Sequence, residues 1–210
     1  MTGALNIQSA DNALAYFKST DANANIKFSD SNSSDINQVG VGAIGNHLTL
    51  IAGGDNRLSI DSTGAVTMPA QPAFQARLNG TTSNLAINTT HTLAFATEIF
   101  DNNSDFNSST YTFTAPVTGK YMFGAVIYGG NLDTATRYYE AQIVTSNRVY
   151  YFIISSNALA SDPLYFCLPI SVLADMDAGD TALMKIHVDN TGTAQADLFN
   201  VSHFSGHLAC

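Results

Sequence analysis

Tryptophan is absent, and charged residues make up only 12% of the 210-residue sequence. Basic side chains are the scarcest of these: eight Lys and Arg stand against 17 Asp and Glu, for a formal net charge of −9. Gripping a nucleic-acid backbone takes clustered Lys and Arg, so that partner is excluded. The surplus carboxylates serve solubility. No apolar run reaches the roughly 18 residues that a membrane-spanning helix needs, so membrane insertion is not expected. The opening MTGALNIQSADNALAYF has no basic start, apolar centre or small-residue cleavage site, and does not read as a secretory leader. A protein of this kind working outside a cell would leave by another route, such as lysis releasing an assembled particle. Two cysteines, Cys167 and Cys210, are too few for a disulfide framework. Cys167, inside YFCLPI, is expected to be a buried thiol acting as a small hydrophobe, and the terminal Cys210 to be exposed. A bridge between them is the alternative.

Motifs that carry chemistry are just as scarce. No serine sits in a G-x-S-x-G elbow, and no G-x-x-x-x-G-K-[ST] phosphate loop occurs. The five histidines are His47, His91, His187, His203 and His207. His203 and His207 would share one face of a strand about 13 Å apart, too far to bind one metal within a chain. They are either half-exposed strand residues or ligands of a metal on a threefold axis, one from each of three chains. Carboxylates gather at Asp101 and Asp105, and at Asp175, Asp177 and Asp180, without EF-hand spacing. Calcium stays open for either group. The plainer reading of Asn102, Asn103, Ser104 and Asp105 is a turn whose side chains cap their own backbone. No base, nucleophile and metal come together, so the sequence does not read as an enzyme, and no cofactor other than calcium is expected.

Strand pattern is what the sequence holds in quantity. Phe74, Ala76 and Leu78 alternate with Gln75 and Arg77, and RYYEAQIVT and RVYYFIIS flank Ser146-Asn147 as a β-hairpin. LYFCLPISVL is the most apolar run and reads as a buried central strand, with Pro169 arguing for a bulge or an edge near it. About ten short strands with polar loops suit a two-sheet jelly-roll sandwich. The organising stretch is FATEIFDNNSDFNSSTYTFTAPVTGKYMF, residues 95–123. Tyr111 and Phe113 are expected on one face of a strand, and Tyr121, Phe123 and Ala125 on one face of the next. The two strands would form a half-buried antiparallel pair around APVTGK, with Pro116 and a positive-φ Gly119 making the turn.

The spacing of Phe95, Asp101, Phe106, Phe113, Gly119, Tyr121 and Phe123 resembles the signature of the complement C1q globular head, except that Ala125 stands where that signature ends on an aromatic. His203-Phe204-Ser205-Gly206-His207-Leu208 looks like the family's closing FSGxL strand. Gly179-Asp180 followed by ALMKI looks like its GD-then-strand segment. The resemblance runs in order over residues 73–210. It implies a C1q-like jelly roll that trimerises, with Phe95, Phe106, Phe113, Tyr121, Phe123, Phe204 and Gly206 in the sandwich or the subunit seam. It implies less about the ligand, because this fold carries many partners.

Residues 1–72 differ. They are rich in Asn, Asp, Ser, Gly and Ala, and short apolar alternations recur, each closed by turn residues. Ile26-Lys27-Phe28, Val39-Gly40-Val41, Leu48-Thr49-Leu50-Ile51, Leu58-Ser59-Ile60 and Val66-Thr67-Met68 are the strands. Units this thin bury too little to offset their ordering entropy alone. Three chains are expected to share the burial as an intertwined shaft, the alternative being a flexible polar extension. LTLIAGGDNRLSIDSTGAVTMP resembles the repeats of bacteriophage tail and capsid fibres, which form trimeric β shafts. ALAYF near the start reads as a short helix or a peg that docks on a larger body. The prolines of MPAQPAF bar a continuous sheet, dividing an attachment segment and β-repeat stalk, 1–72, from a jelly-roll knob, 73–210.

These features lead to an all-β homotrimer in which a trimeric fibre stalk carries a C1q-like knob. It would belong to a virion, join other virion proteins through its N-terminus, and bind a saccharide or protein on the host surface. Three weak sites on one knob gain by avidity. Loops 101–109, 129–136, 156–163 and 189–197 are the expected contacts, through Asn102, Asn103, Asp105, Asn131, Asp133, Asn157, Asp162 and Asn190. Tyr128, Tyr138, Tyr139, Tyr150 and Tyr151 either pack the core or trimer, or stack on sugar rings. A capsid-decoration or fibre-connecting protein without a receptor, and a secreted C1q-like lectin, are the alternatives.

Overall fold

A computed structural model describes residues 7–8, 10, 15–189 and 196–210. Asn190, part of ALAYF and most of the 189–197 loop lie outside them. The chain divides into two units, Met1–Pro69 and Ala70–Cys210.

The first unit is a meander. Strands β1 (Asn23–Phe28), β2 (Val39–Ile44), β3 (His47–Ala52), β4 (Asp55–Ile60) and β5 (Val66–Thr67) form a five-stranded sheet in chain order, each antiparallel to the next. Asp61 holds the last turn by accepting from the backbone N–H of Thr63 and Ala65, at 2.8 and 3.0 Å. Register decides which residues share a face. Ile26, Val41, Leu50 and Leu58 line up as one row, Ala24, Ala43, Leu48, Ile60 and Val66 as a second, and Phe28, Val39 and Ala52 as a third. Every residue of the first two rows is apolar, whereas the third runs on from Ala52 to Asp55 and so ends on a carboxylate. The reverse face carries Asn25, Gly42, Thr49, Ser59 and Thr67.

The second unit is a sandwich. Its strands are β6 (Ala73–Arg77), β7 (Thr90–Thr92), β8 (Thr97–Asp101), β9 (Phe106–Asn107), β10 (Thr112–Thr114), β11 (Gly119–Gly130), β12 (Tyr138–Thr145), β13 (Val149–Ile154), β14 (Tyr165–Met176), β15 (Thr181–Asp189), β16 (Asp197–Leu198) and β17 (His203–Leu208), with a 3-10 turn at Ser156–Ala158. One sheet has the order β14-β11-β17-β6-β8, with β16 added on β11. The other has the order β13-β12-β15-β10-β9, with β7 added on β15. Alternating burial along β11, β12, β14 and β15 gives each sheet one face in the core. In a chain without tryptophan, phenylalanine fills that core. Phe74 stacks on Phe106 and Phe113 at 4.7 and 5.0 Å and meets Phe204 edge-on at 5.1 Å. Full burial of each such ring stabilises the fold by about 2–3 kcal/mol.

β10 and β11 are not a paired hairpin. β10 bonds to β9 and β15 in one sheet, and β11 to β14 and β17 in the other, so APVTGK crosses between sheets. Alternation shows which side of a strand is buried, not which strand it bonds to. The two strands meet across the core instead, with Phe113 lying 5.4 Å from Tyr121 and 5.5 Å from Phe123. Tyr111 stands before β10 with a φ of 61° and does not continue the face of Phe113. Gly119 is not left-handed. It opens β11, where a Cβ would stand 2.7 Å from the Cys210 carbonyl oxygen and 2.8 Å from Leu208 Cδ1.

LYFCLPISVL forms most of β14, which is an edge strand rather than a central one. Phe166, Leu168 and Ile170 point inward while Tyr165, Cys167 and Pro169 point out, so Cys167 is exposed, not buried. Both cysteines are free. Pro169 pairs with Val126 in an unbroken register, without a bulge, at an edge that tolerates its missing donor. Apolar residues on both sides of a strand imitate a doubly buried one in sequence.

Candidate functional site

The register gives the sandwich two distinct ends. Gly119 pairs with Met176, Tyr121 with Leu208 and Phe74 with Asp101, so the start of β6, the chain terminus and the 101–109 loop share one end. The Pro72 carbonyl accepts from Leu208 N–H there, at 3.0 Å. At the other end Gly130 pairs with Tyr165 and Asp197, and Tyr138 with Asp189. This brings together the loops after β11 and after β13 and the start of β16.

The expected ligand residues therefore fall into two groups, one at each end. Asn102, Asn103 and Asp105 lie at the first end. Asp101 Oδ1 accepts from the N–H of Asp105 at 3.2 Å and Oδ2 from that of Phe106 at 2.8 Å, so this loop is wound around its own carboxylate. The Asn103 amide donates to both Asp105 oxygens, at 3.2 and 3.1 Å. Burial holds the Asp105 carboxyl above its usual range, Asn103 opposing the shift and the Asp101 charge adding to it. Asn131, Asp133, Asn157 and Asp162 lie at the second end, and Asn190 is outside the described residues.

That second end is a braced rim. Asn131 donates to Asp197 Oδ2 at 2.8 Å, and Asp197 Oδ1 accepts from Asn84 N–H at 2.9 Å. Asp162 accepts from the Thr134 hydroxyl and from Thr134 N–H, which holds its carboxyl below the usual range. Beneath, the buried Ser156 hydroxyl donates to the Thr136 carbonyl at 2.6 Å, and Asp133 N–H donates to the Tyr139 hydroxyl at 3.1 Å. Arg137 forms a two-pronged ion pair with Asp189. The exposed side chain of Asn157 leaves an amide toward solvent at this rim. Amides and carboxylates held this way suit hydroxyl-rich ligands. Asn84, Thr136, Ser156 and Asp197 were not singled out in sequence, since they carry no motif and the bonds that join Asn84 to Asp197 and Ser156 to Thr136 link positions distant along the chain.

The outer face of the β14-β11-β17 sheet is different in kind. Tyr128 stacks on Tyr165 at 5.9 Å, and Phe199 tilts against Tyr128 at 5.4 Å. Beyond them, Gly124, Ser171 and Ser205 form a small-residue row across three strands. The depression over this row, about 460 Å³, is lined also by Val126, Pro169 and His203. Exposed Tyr165, Cys167 and Leu173 flank it. His203 and His207 both face this side. Of the other tyrosines, Tyr139 is in the core, Tyr151 is exposed on β13, and Tyr138 lies 6.0 Å from the His187 ring.

Phe95, Phe106, Phe113, Tyr121, Phe123 and Phe204 are all buried in one core cluster. Gly206 stands against the rings of Phe123 and Phe74. Gly179 takes a φ of 93°, and Asp180 Oδ2 accepts from Asp177 N–H at 2.9 Å and from the Asn147 amide at 2.7 Å. Asp175 is paired with Lys120. Among the described residues, no three His, Cys, Asp or Glu side chains stand close enough to hold a metal ion.

Residues 73–209 match the family model described as the C1q domain. The globular domain of zebrafish complement 1qA protein is 19% identical over 67% of this chain and 98% of its own, with a TM-score of 0.48. Murine APRIL, crystallised at pH 8.0, is 12% identical over 66% of this chain and 98% of its own, with a TM-score of 0.48. No curated protein matches the chain.

Proposed function

This chain belongs to the C1q domain family, and from that premise we propose that it is a trimeric virion fibre or spike protein whose knob binds a saccharide on the host surface. Domains of this kind are generally non-enzymatic binding modules and usually trimers. The observation that supports the reading is the polarity of the sandwich. The segment leading into β6 and the chain terminus meet at one end, and the Asn- and Asp-rich rim is at the other. A knob that meets a repetitive surface needs its contacts away from its tether, and three copies of a weak polar site multiply by avidity. The outer face of the β14-β11-β17 sheet, with its aromatic cluster and small-residue row, is the trimer seam in this reading. Other virion proteins would hold the N-terminus.

The test is binding of the purified full-length chain to host cells, with purified host-surface polysaccharide as competitor. Binding that the polysaccharide displaces, and that Asn157→Ala weakens at least threefold, is the expected result. A trimer that neither binds cells nor slows infection sinks the receptor role. One observation favours a second reading, a capsid-decoration or fibre-connecting protein. Asn131 and Asp162 spend their hydrogen-bonding capacity inside the rim, as parts of a purely structural tip would. Labelling the protein on intact particles separates the two readings by head or tail position.

A further inference from the structure

The N-terminal sheet is amphipathic in the wrong sense for a lone copy. Its polar side is closed by its own side chains: Asn25 and Lys27 lie across the glycines of β2, and Thr49 and Ile51 are buried on that side. The apolar side is open. Among the described residues no element closes it, and Ile26, Phe28, Val39, Leu48, Leu50 and Val66 remain between 40% and 56% exposed. We infer that this face is an interface, and that its occupants are the same faces of two further copies of the chain, closing a three-sided core. The inference rests on the trimeric reading of the C1q unit.

Three features favour copies of the same chain over a different partner. The rows of the face carry one charged side chain, Asp55 at the end of the third row beside Ala52, and it is already paired with Arg57 of the same chain at 3.0 Å. Small residues (Ala24, Ala43) sit beside large ones (Leu48, Ile60) along one row, so a facing copy can interdigitate. The third feature is size. The apolar residues of its rows, each occupying about 4.8 by 6.8 Å, cover roughly 390 Å², against about 800 Å² contributed by each partner in a stable complex. Alone, the face is too small to assemble. β5 ends at Thr67 and β6 begins at Ala73, so trimeric C1q units would tether three copies on short leashes. The effective concentration is then in the millimolar range, where a small apolar face suffices.

The test uses the full chain with Cys167→Ser and Cys210→Ser, carrying either Leu50→Cys at the centre of the apolar face or Asn25→Cys on the polar one. A bismaleimide spanning about 10 Å, the spacing of packed sheets, is added, and the oligomer is measured by sedimentation. A trimer in which Leu50→Cys cross-links chains at least tenfold faster than Asn25→Cys is the expected result. A trimer with equal rates, or without cross-linking at Leu50→Cys, overturns this inference and leaves the trimeric knob standing. A monomer overturns both. Separately, Leu50→Glu is expected to speed protease cleavage before Pro69 at least tenfold while the C1q unit stays intact and trimeric, and an unchanged cleavage rate overturns the shared core.

Discussion

Gly206 offers the sharpest test of the core, because its side chain is missing for a geometric reason. It lies on β17 between Phe123 and Phe74. A Cβ added there would stand 2.5 Å from Phe123 Cδ1, 2.7 Å from its Cε1 and 2.8 Å from Phe74 Cε1. Ordinary contact needs about 3.5 Å or more, so Phe123 would have to retreat by about 1 Å and Phe74 by about 0.7 Å. Neither ring has somewhere to go. Phe123 is held by Phe113 at 5.5 Å, Phe204 at 5.9 Å and Tyr121 at 6.2 Å, and Phe74 by Phe106 at 4.7 Å. Overpacking of a core costs about 1–3 kcal/mol, and a clash against two pinned rings belongs at the upper end, about 3 kcal/mol. For a unit of this size each kcal/mol moves the midpoint by roughly 3–4 °C, so Gly206→Ala should lower Tm by about 10 °C. The assay is thermal unfolding of the full chain at fixed protein concentration, since a trimer's midpoint depends on concentration. Phe123→Leu opens the space the methyl group needs. In that background Gly206→Ala should cost at least 1 kcal/mol less, a coupling that only direct contact produces. A Tm shift under 2 °C, or an equal cost in both backgrounds, refutes the reasoning.

Removing Arg137 leaves Asp189, whose side chain is only 11% exposed, without its two-pronged partner. Arg137→Ala should cost about 2 kcal/mol in denaturant unfolding, and Arg57→Ala, at an exposed turn, under about 0.5 kcal/mol. The reverse order would contradict the braced rim. Folding raises the Asp105 carboxyl, mainly through burial, so the native state holds that proton more tightly than the unfolded chain. Its stabilising contribution is full below the ordinary value of 3.8 and is lost as pH rises through the raised value. Asp105→Asn should therefore be more stable than the parent at pH 7, with the gap closing in acid. A variant that is less stable at pH 7 by an amount unchanged in acid goes against this. Cys167 lies on the face assigned to the seam, beside Tyr128, and Cys210 ends the chain. A thiol reagent should modify Cys210 quickly and Cys167 slowly in the trimer. Equal rates at both thiols would move the seam elsewhere.

The limits of the sequence follow one physical division. Burial belongs to a single residue and leaves a mark at period two, which is why β6, the hairpin of β12 and β13, and the five short strands of the first unit were legible, as was the two-sheet class. Pairing belongs to two residues and leaves no such mark. The alternation of Phe113, Tyr121 and Phe123 is the same whether their strands share hydrogen bonds or face each other across a core, and the second is what occurs. β14 failed for a related reason: Tyr165, Cys167 and Leu173 are apolar enough to imitate a buried face, yet they point outward. The loops show the same division more severely. Asn102, Asn103 and Asp105 resemble Asn131, Asp133 and Asp162 in composition, and only register separates them by the length of the sandwich. The first set winds around Asp101, five residues before Phe106, within reach of local turn chemistry. The second depends on Asp197 reaching Asn84, a separation of 113 residues. An exposed apolar row is invisible for the opposite reason. Ile26, Leu48 and Leu50 alternate as well as any core strand does, and alternation does not say whether the surface that will cover them belongs to the same chain.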